Sequence, residues 1–146
     1  MPHPRPIAES DYQVLAEFRY QIRRFLHFSE QAARAAGIEP QQHQLLLALR
    51  GLPEGQAHIG ALAERLQIQH HSTVELVDRL TDRGLVSRAR ADSDRRQVLV
   101  QLSAEGEAAM EKLAKSHLEE LRSNGPALVE ALEDLIRRIK GNYAGK

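Results

Sequence analysis

Two short amphipathic patterns separated by three residues constrain the fold of this chain more than any other feature. Apolar residues within 59–66 recur every three or four positions, which predicts a short helix. A brief turn follows at 67–69, and a second helix begins near His70 and is stopped by Gly84. Helix, three-residue turn and helix make a helix-turn-helix arrangement, in which the second helix can enter a DNA major groove.

A β-hairpin is predicted directly after these two helices. Residues 85–90 and 97–102 form two short β-prone segments, and the second alternates apolar with polar positions. The segment between them, 91–96, is rich in the turn-favouring residues Asp and Ser. A hairpin appended to a helix-turn-helix is a wing. The predicted fold class is therefore mainly α with a small β-hairpin wing, and the winged helix-turn-helix region covers 40–103.

Two helices are predicted before the helix-turn-helix. Ser10 is expected to cap a long amphipathic helix over about residues 11–36, which ends at Gly37. Pro40 opens a second helix, which Gly51 closes. The nearly continuous leucines of this second helix indicate burial on several sides.

Two more helices are predicted after the hairpin. Ser103 is expected to start a long helix that is interrupted at 124–126 by Asn, Gly and Pro, and a last helix follows. The first helix and the last two present apolar stripes with little local material to cover them. Pairing with a second copy explains these stripes, so 10–37 and 104–142 are predicted to be dimerisation helices within a single chain, 1–146.

Composition excludes several classes of protein. The chain has no cysteine, which removes disulfide scaffolds, thiolate metal sites and a cysteine nucleophile. The sequence also lacks a Gly-rich phosphate loop, a His-Glu-x-x-His helix and a nucleophile elbow, so we expect neither an enzyme nor a bound cofactor. The N-terminus has no signal-peptide pattern, and no apolar run approaches the roughly 20 residues that span a bilayer. These features predict a cytoplasmic protein without a membrane partner.

Charge is distributed unevenly along the chain. Twenty Lys and Arg balance 20 Asp and Glu, so the formal net charge of zero gives no support for binding nucleic acid. Residues 79–96, however, hold six arginines against three aspartates, a local excess of three positive charges. Much of the balancing acid lies in 105–134. This segregation would let a dimer present one basic side to DNA.

The motifs between Leu62 and Gly106 resemble those of the MarR family in order and spacing. The resemblance implies a homodimeric transcription regulator, a repressor, that binds a pseudo-palindromic double-stranded DNA operator and releases it when a small organic effector arrives. Phenolic or other aromatic acids are the family's usual ligands, and acyl-thioesters also occur. The matching motifs are Leu62-Ala63-Glu64-Arg65-Leu66, Ser72-Thr73-Val74, Leu76-Val77-Asp78-Arg79-Leu80, Arg83-Gly84-Leu85-Val86, Asp94-Arg95-Arg96 and Leu102-Ser103-Ala104-Glu105-Gly106.

The resemblance also assigns residues to the DNA interface. It places the recognition helix at about 70–83 and a wing-tip pair at Asp94 and Arg96, in which the Arg reaches into the minor groove and the Asp holds it. Gln69-His70-His71 departs from similar proteins, which often have Ser at the start of this helix. The predicted DNA-binding residues are His70, His71, Ser72, Thr73, Glu75, Arg79, Asp94, Arg95 and Arg96.

Residues on the first, second and fifth predicted helices suggest an effector pocket, because these elements line that pocket in similar proteins. The helices carry His27, His43 and His117, respectively. Zinc binding would need the three histidines to converge, together with a carboxylate such as Glu30, and the spacing enforces neither, so no metal site is predicted. The predicted pocket residues are Arg23, His27, Phe28, His43 and Gln44.

Two alternative functions stay open at this point. A winged-helix protein-interaction module that does not bind DNA is compatible with the net charge of zero and with the aspartates near the wing. A zinc-responsive regulator is compatible with the three histidines. The first alternative predicts no salt-sensitive affinity for DNA, and the second predicts that a chelator changes that affinity.

Overall fold

Five helices and two strands make up residues 5–90 and 97–144, the part of the chain that this computed structural model describes. Their order confirms the predicted fold class, mainly α with one β-hairpin. In chain order the elements are α1 (Glu9–Ala35), α2 (Pro40–Gly51), α3 (Ile59–Leu66), α4 (His70–Asp82), β1 (Val86–Arg90), β2 (Val98–Leu102) and α5 (Ala104–Ala144).

The chain divides into two compact units. One consists of Met1–Ser29 together with Ser116–Lys146, and we call it the terminal unit. The other, Glu30–Lys115, is called the winged unit because it contains the hairpin. Helices α1 and α5 each contribute residues to both units.

Leucines and valines of α2, α3, α4 and the hairpin form the core of the winged unit. Leu45 and Leu46 of α2 and Val77 and Leu80 of α4 have no exposed surface. Burying one such side chain fully contributes about 1.5 to 3 kcal/mol relative to leaving it exposed. Helix α2 is thus packed on more than one side, as its leucines predict, although Leu47 in the same run is 52% exposed.

Glycine and proline set the helix boundaries of the winged unit as predicted. Gly37 after α1 and Gly84 after α4 have φ values of 76° and 73°, in the left-handed region that disfavours residues with a Cβ. Pro40 is the first residue of α2, where a missing N–H removes no intrahelical hydrogen bond.

The start of α1 differs from the prediction. The helix already includes Glu9, so Ser10 lies inside its first turn rather than at the cap. The carboxylate of Asp11 instead accepts a hydrogen bond from the N–H of Ala8 at 2.8 Å. Asp11, one position after the predicted cap Ser10, therefore satisfies the free backbone N–H of Ala8 at this end of the helix.

Helix α5 is continuous, and the predicted interruption at 124–126 is wrong. Pro126 lies inside the helix and removes one backbone donor. Leu121 and Leu128 are seven residues apart, so the same helical face continues across the proline, and Ala131 on that face is buried. Neither α5 nor any other helix in the described ranges is long and apolar enough to cross a membrane.

In the terminal unit, aromatic side chains of α1 surround a histidine of α5. The rings of Phe25 and Phe28 lie edge-on to His117, with centroid separations of 6.0 and 5.3 Å. The Nε2 atom of His117 lies 2.8 Å from the hydroxyl oxygen of Ser29. These contacts join the two helices within this unit.

The hairpin is antiparallel, which confirms the predicted wing. The segment before α3 also runs along β2, because the N–H of Val100 donates to the carbonyl of Ala57 at 2.8 Å and His58 forms an isolated bridge with Leu99. The register places Val86, Ser87, Arg88, Ala89 and Arg90 opposite Leu102, Gln101, Val100, Leu99 and Val98, in that order.

The start of α5 is fastened to the turn that follows α4. The Ser103 hydroxyl donates to the carbonyl of Gly84 at 2.6 Å, and the Ser103 N–H donates to the carbonyl of Leu85 at 3.0 Å. The same hydroxyl oxygen accepts the N–H of Gly106 at 3.0 Å, which confirms Ser103 as the N-terminal cap. Gly106 is buried, and a Cβ there would overlap the carbonyl oxygen of Leu85.

We expect Gly106→Ala to lower the free energy of unfolding by roughly 3 kcal/mol, because a methyl group forced against a backbone carbonyl overpacks the site. Urea denaturation followed by circular dichroism measures this change. Gly51→Ala is the matched control, since a Cβ at Gly51 meets no atom within 4 Å. Equal stability of the Gly106→Ala variant and the unmodified chain would contradict the proposed contact.

We also expect an acid-dependent loss of stability that is centred on Asp11. Hydrogen bonds from the Arg5 side chain, 2.6 Å away, and from the Ala8 N–H lower the pKa of Asp11 from 3.8 to about 2. A pKa that is lower in the folded state means that the ionised carboxylate stabilises the fold above pH 3.8, and that this stabilisation is lost as the pH falls to about 2.

NMR titration of the Asp11 carboxyl carbon tests this prediction. Arg5→Ala should raise the pKa of Asp11 toward 3.8, because the first of its stabilising contacts is removed. Arg122→Ala, which removes an exposed partner of Glu119 on α5, should leave it unchanged. The explanation would be wrong if Arg5→Ala left the Asp11 titration where it was.

Candidate nucleic-acid interface

The connection between α3 and α4 has the predicted helix-turn-helix form. Gln67 follows α3 in the left-handed conformation, with φ of 56°. The N–H of Ile68 donates to the carbonyl of Ala63 at 3.1 Å, and its side chain packs against the core. Gln69 is extended, and α4 then begins. The turn thus has the three residues that the sequence predicts.

A histidine caps the start of α3. The Nδ1 atom of His58 accepts a hydrogen bond from the N–H of Ala61 at 3.1 Å, and the backbone of His58 is extended, as is usual at this position. Sequence analysis did not identify this cap, because histidine is not among the residues that favour helix N-termini. The contact fixes the first helix of the pair relative to the segment that runs along β2.

Helix α4 buries one face and exposes the other. Leu76, Val77 and Leu80 pack into the core of the winged unit. Most of the polar residues that the sequence predicts to face away from the core are exposed in the structure. The exposed residues are His70, His71, Glu75, Asp78 and Arg79, and Ser72 is half-buried.

Thr73 does not belong to the exposed face, and the prediction that it contacts DNA is wrong in this respect. Its side chain is fully buried, and its hydroxyl donates to the carbonyl of Gln69 at 3.0 Å. Thr73 lies three and four residues before Leu76 and Val77, so helical spacing puts it on the core side. The residue therefore stabilises the first turn of α4.

Two polar contacts join the end of α4 to neighbouring elements. The carboxylate of Asp78 pairs with the guanidinium of Arg88 on β1. Arg83, directly after α4, donates from Nη1 to Oε1 of Gln42 on α2 at 3.0 Å. Sequence analysis missed both contacts, because the paired residues are 10 and 41 positions apart and share no periodic pattern.

Exposed arginines of this surface lie on α4 and on β1. Arg79 is exposed and, within the described ranges, forms no ion pair with Glu75. Arg88 and Arg90 are exposed on β1. Asp94, Arg95 and Arg96 lie outside the described residues, so their roles at the wing tip stay predictions.

The described part of the chain carries the sequence pattern as well as the shape of a known family. Residues 36–97, which contain α2, the helix-turn-helix and β1 and end just before β2, match the family model described as the MarR family. This segment holds 62 of the 146 residues, and over it the chain resembles the MarR family.

Solved structures of MarR-family proteins share the fold of this chain over most of its length. AbsC, a MarR family transcriptional regulator from Streptomyces coelicolor, is 19% identical, with 97% of this chain and 99% of AbsC covered and a TM-score of 0.74. Sco3205 from the same organism, solved in complex with DNA, is 20% identical, with 97% and 92% covered and a TM-score of 0.72.

CouR is a third similar protein, solved in two complexes. The structure of CouR from Rhodococcus jostii RHA1 bound to p-coumaroyl-CoA is 24% identical, with 79% of this chain and 82% of that chain covered and a TM-score of 0.63. A structure of the transcriptional repressor CouR bound to a 23-mer DNA duplex is 28% identical, with 81% and 87% covered and a TM-score of 0.62.

The predicted effector residues of this chain fall on the helices that the sequence indicates. Arg23 and His27 are exposed on α1, and Phe28 contacts His117 in the terminal unit. His43 is buried on α2, and Gln44 is exposed beside it. Within residues 5–90 and 97–144, no three His, Cys, Asp or Glu side chains come together as a metal-ion site.

A groove that sequence analysis did not identify lies between α2 and the start of α5. Its volume is about 570 Å³, and Leu47 and Met110 contribute to its apolar lining. Arg50 and Glu107 also line it, and their side chains pair at 3.0 Å. Glu111 lines the groove as well, so two carboxylates stand beside one guanidinium that is already paired. The apolar part of the groove suits a flat apolar group.

We expect His58→Ala to lower the free energy of unfolding by about 1 kcal/mol, because the N–H of Ala61 loses its acceptor. His58→Asn should recover most of this loss, since the amide oxygen of Asn is a good helix cap. Urea denaturation measures the stability of the two variants. Because both lose the packing of the imidazole ring, the difference between them reports the cap. Equal stability of the Ala and Asn variants would show that the cap has no effect.

Proposed function

We propose that this chain is a transcription regulator of the MarR type, a homodimeric, cytoplasmic repressor that binds a pseudo-palindromic operator and releases it when a small effector binds. It acts by binding rather than by catalysis. The observation that supports the proposal most strongly is the exposed polar face of α4, which lies inside the segment that matches the MarR family model and is followed by a β-hairpin.

The dimensions of α4 suit the major groove. Its 13 residues span about 20 Å, and the groove is about 12 Å wide, so one helix lies in it with its exposed side against base edges. His70 and His71 at the start of the helix can donate hydrogen bonds to bases or phosphates, and Ser72 and Glu75 can bond to base edges. Arg79 is proposed to contact the phosphate backbone.

The wing is proposed to add minor-groove contacts. Arg95 and Arg96 at the hairpin tip carry the positive charge, and Asp94 would hold Arg96 in place. Arginines suit a narrow minor groove because the negative potential is strongest there. In a two-fold dimer, the two recognition helices would enter successive major grooves roughly 10 bp apart.

Exposed apolar residues of the terminal unit support the proposed dimer. Monomeric soluble proteins rarely expose large contiguous apolar surface, so a second copy is expected to cover these side chains. The exposed residues are Ile7, Tyr12, Leu15, Tyr20, Leu26, Leu118, Leu121, Val129, Leu132, Ile136 and Ile139.

An aromatic acid or an acyl-thioester is the proposed effector. CouR binds p-coumaroyl-CoA, which is an aromatic acyl-thioester. Arg23, His27, Phe28, His43 and Gln44 stay the predicted pocket residues, and the groove at Arg50 has the size for part of such a ligand. An effector that prefers a different spacing of the two recognition helices would shift the population away from the DNA-binding form.

Binding to the DNA upstream of the chain's own gene tests the proposal. Fluorescence anisotropy at two salt concentrations, with excess nonspecific competitor, should show tight and salt-sensitive binding by a dimer. Arg96→Ala should weaken this binding about tenfold and reduce the salt dependence by about one counterion, because one cation no longer reaches the DNA. Arg122→Ala, on α5, is the control and should bind like the unmodified chain.

The outcomes separate the proposal from its alternatives. No binding to this DNA or to a random-sequence pool would contradict the regulator and favour a protein-interaction module. Binding that changes with a chelator would indicate a zinc-responsive regulator. Unchanged affinity of Arg96→Ala would reject the assignment of the wing tip to the DNA interface.

A further inference from the structure

Gln42 is a buried polar residue that serves two donors with a single oxygen atom. Its side chain is 6% exposed and lies in the first turn of α2. The Oε1 atom accepts a hydrogen bond from the backbone N–H of Glu39 at 3.2 Å. The same atom accepts a second one from Nη1 of Arg83 at 3.0 Å. One amide oxygen therefore links the start of α2 to the residue that follows α4.

Arg83 connects Gln42 directly to the recognition helix. It is the C-terminal cap residue of α4, and its N–H donates to the carbonyl of Arg79 at 3.1 Å. Gly84 comes next, and its N–H donates to the carbonyl of Thr81 at 3.0 Å. The backbone of Arg83 thus belongs to the last turn of α4, while its side chain is bonded to a different helix.

We propose that Gln42 is a positioning residue for DNA recognition: it fixes the C-terminal end of α4 against α2 through the guanidinium of Arg83. This inference rests on the proposed function, since α4 is the proposed recognition helix. Arg83 itself need not touch DNA for the link to matter.

Small changes in the direction of α4 are sufficient to affect base contacts. The helix is about 20 Å long, so a rotation of roughly 10° about one end moves the other end by about 3 Å. Hydrogen bonds to base edges tolerate displacements of only about 0.5 Å. Losing the link at the C-terminal end would thus disturb His70, His71 and Ser72 at the opposite end of the helix.

Removing the acceptor of Gln42 has a further cost. The guanidinium of Arg83 would lose a charge-assisted hydrogen bond, and the N–H of Glu39 would lose its side-chain acceptor. A glutamate at position 42 would keep both contacts, because a carboxylate oxygen accepts from the same two donors and is favourable in the first turn of a helix.

The experiment compares four single variants, and the double variant Gln42→Met with Arg83→Met, with the unmodified chain. Gln42→Met has a similar size and no acceptor, Gln42→Glu retains the acceptor, and Arg83→Met removes the donor. Gln41→Met, at an exposed position in the same turn of α2, is the matched control. Each is measured for affinity to the operator, for the salt dependence of that affinity, and for hydrogen exchange of the amides at Arg83, Gly84 and Leu85 without DNA.

We expect Gln42→Met and Arg83→Met each to weaken operator binding about tenfold with an unchanged salt dependence. The double variant should be no weaker than either single one, because both remove the same link. The amides at Arg83, Gly84 and Leu85 should exchange faster in these variants. Gln42→Glu and Gln41→Met should bind and exchange like the unmodified chain.

Three outcomes would overturn the inference. Operator affinity of Gln42→Met within twofold of the unmodified chain rejects a positioning role. A salt dependence reduced by about one in Arg83→Met assigns Arg83 to a phosphate instead. Unchanged amide exchange rejects the link even if the chain binds no DNA, so failure of this inference is distinguishable from failure of the proposed function. Should Gln42→Met not fold, Arg83→Met at its exposed position provides the same comparison.

Discussion

The hydrogen bonds around Ser103 hold together the region on which the proposed function depends. They join the turn after α4, the start of β1, the end of β2 and the start of α5 at one point. The buried Gly106 allows this close approach, because any side chain there would overlap the backbone of Leu85. Backbone contacts rather than exposed side chains therefore set the direction in which the hairpin leaves the recognition helix.

Local signals predicted most of the fold. The bounds of α3, the start of α4 at His70 and the end of α4 before Gly84 are correct, because residues within one helical turn determine each of them. The predicted interruption of α5 is wrong because a local signal there is overridden by a longer pattern. Pro126 is a strong local signal, but the apolar positions from Leu121 through Leu128 to the buried Ala131 keep their helical phase across it, so one missing hydrogen bond does not end the helix.

The candidate site was predicted less completely than the fold. Exposure of His70, His71, Glu75 and Arg79 follows from spacing, and the same spacing would have placed Thr73 on the buried side. The links from Arg83 to Gln42 and from Asp78 to Arg88 depend on how separate elements pack, and no sequence pattern shows them. These links nevertheless determine where the exposed side chains of α4 lie.

The segment that runs beside β2 has a consequence for how the protein behaves at high concentration. An isolated two-stranded hairpin has two open edges, each a template for pairing with another chain. The hydrogen bond from Val100 to Ala57 and the bridge between His58 and Leu99 occupy part of the β2 edge. Strand β1 carries the exposed charges of Arg88 and Arg90, and charged edge strands resist edge-to-edge aggregation. The arginines of the wing would thus keep it soluble when no DNA is bound.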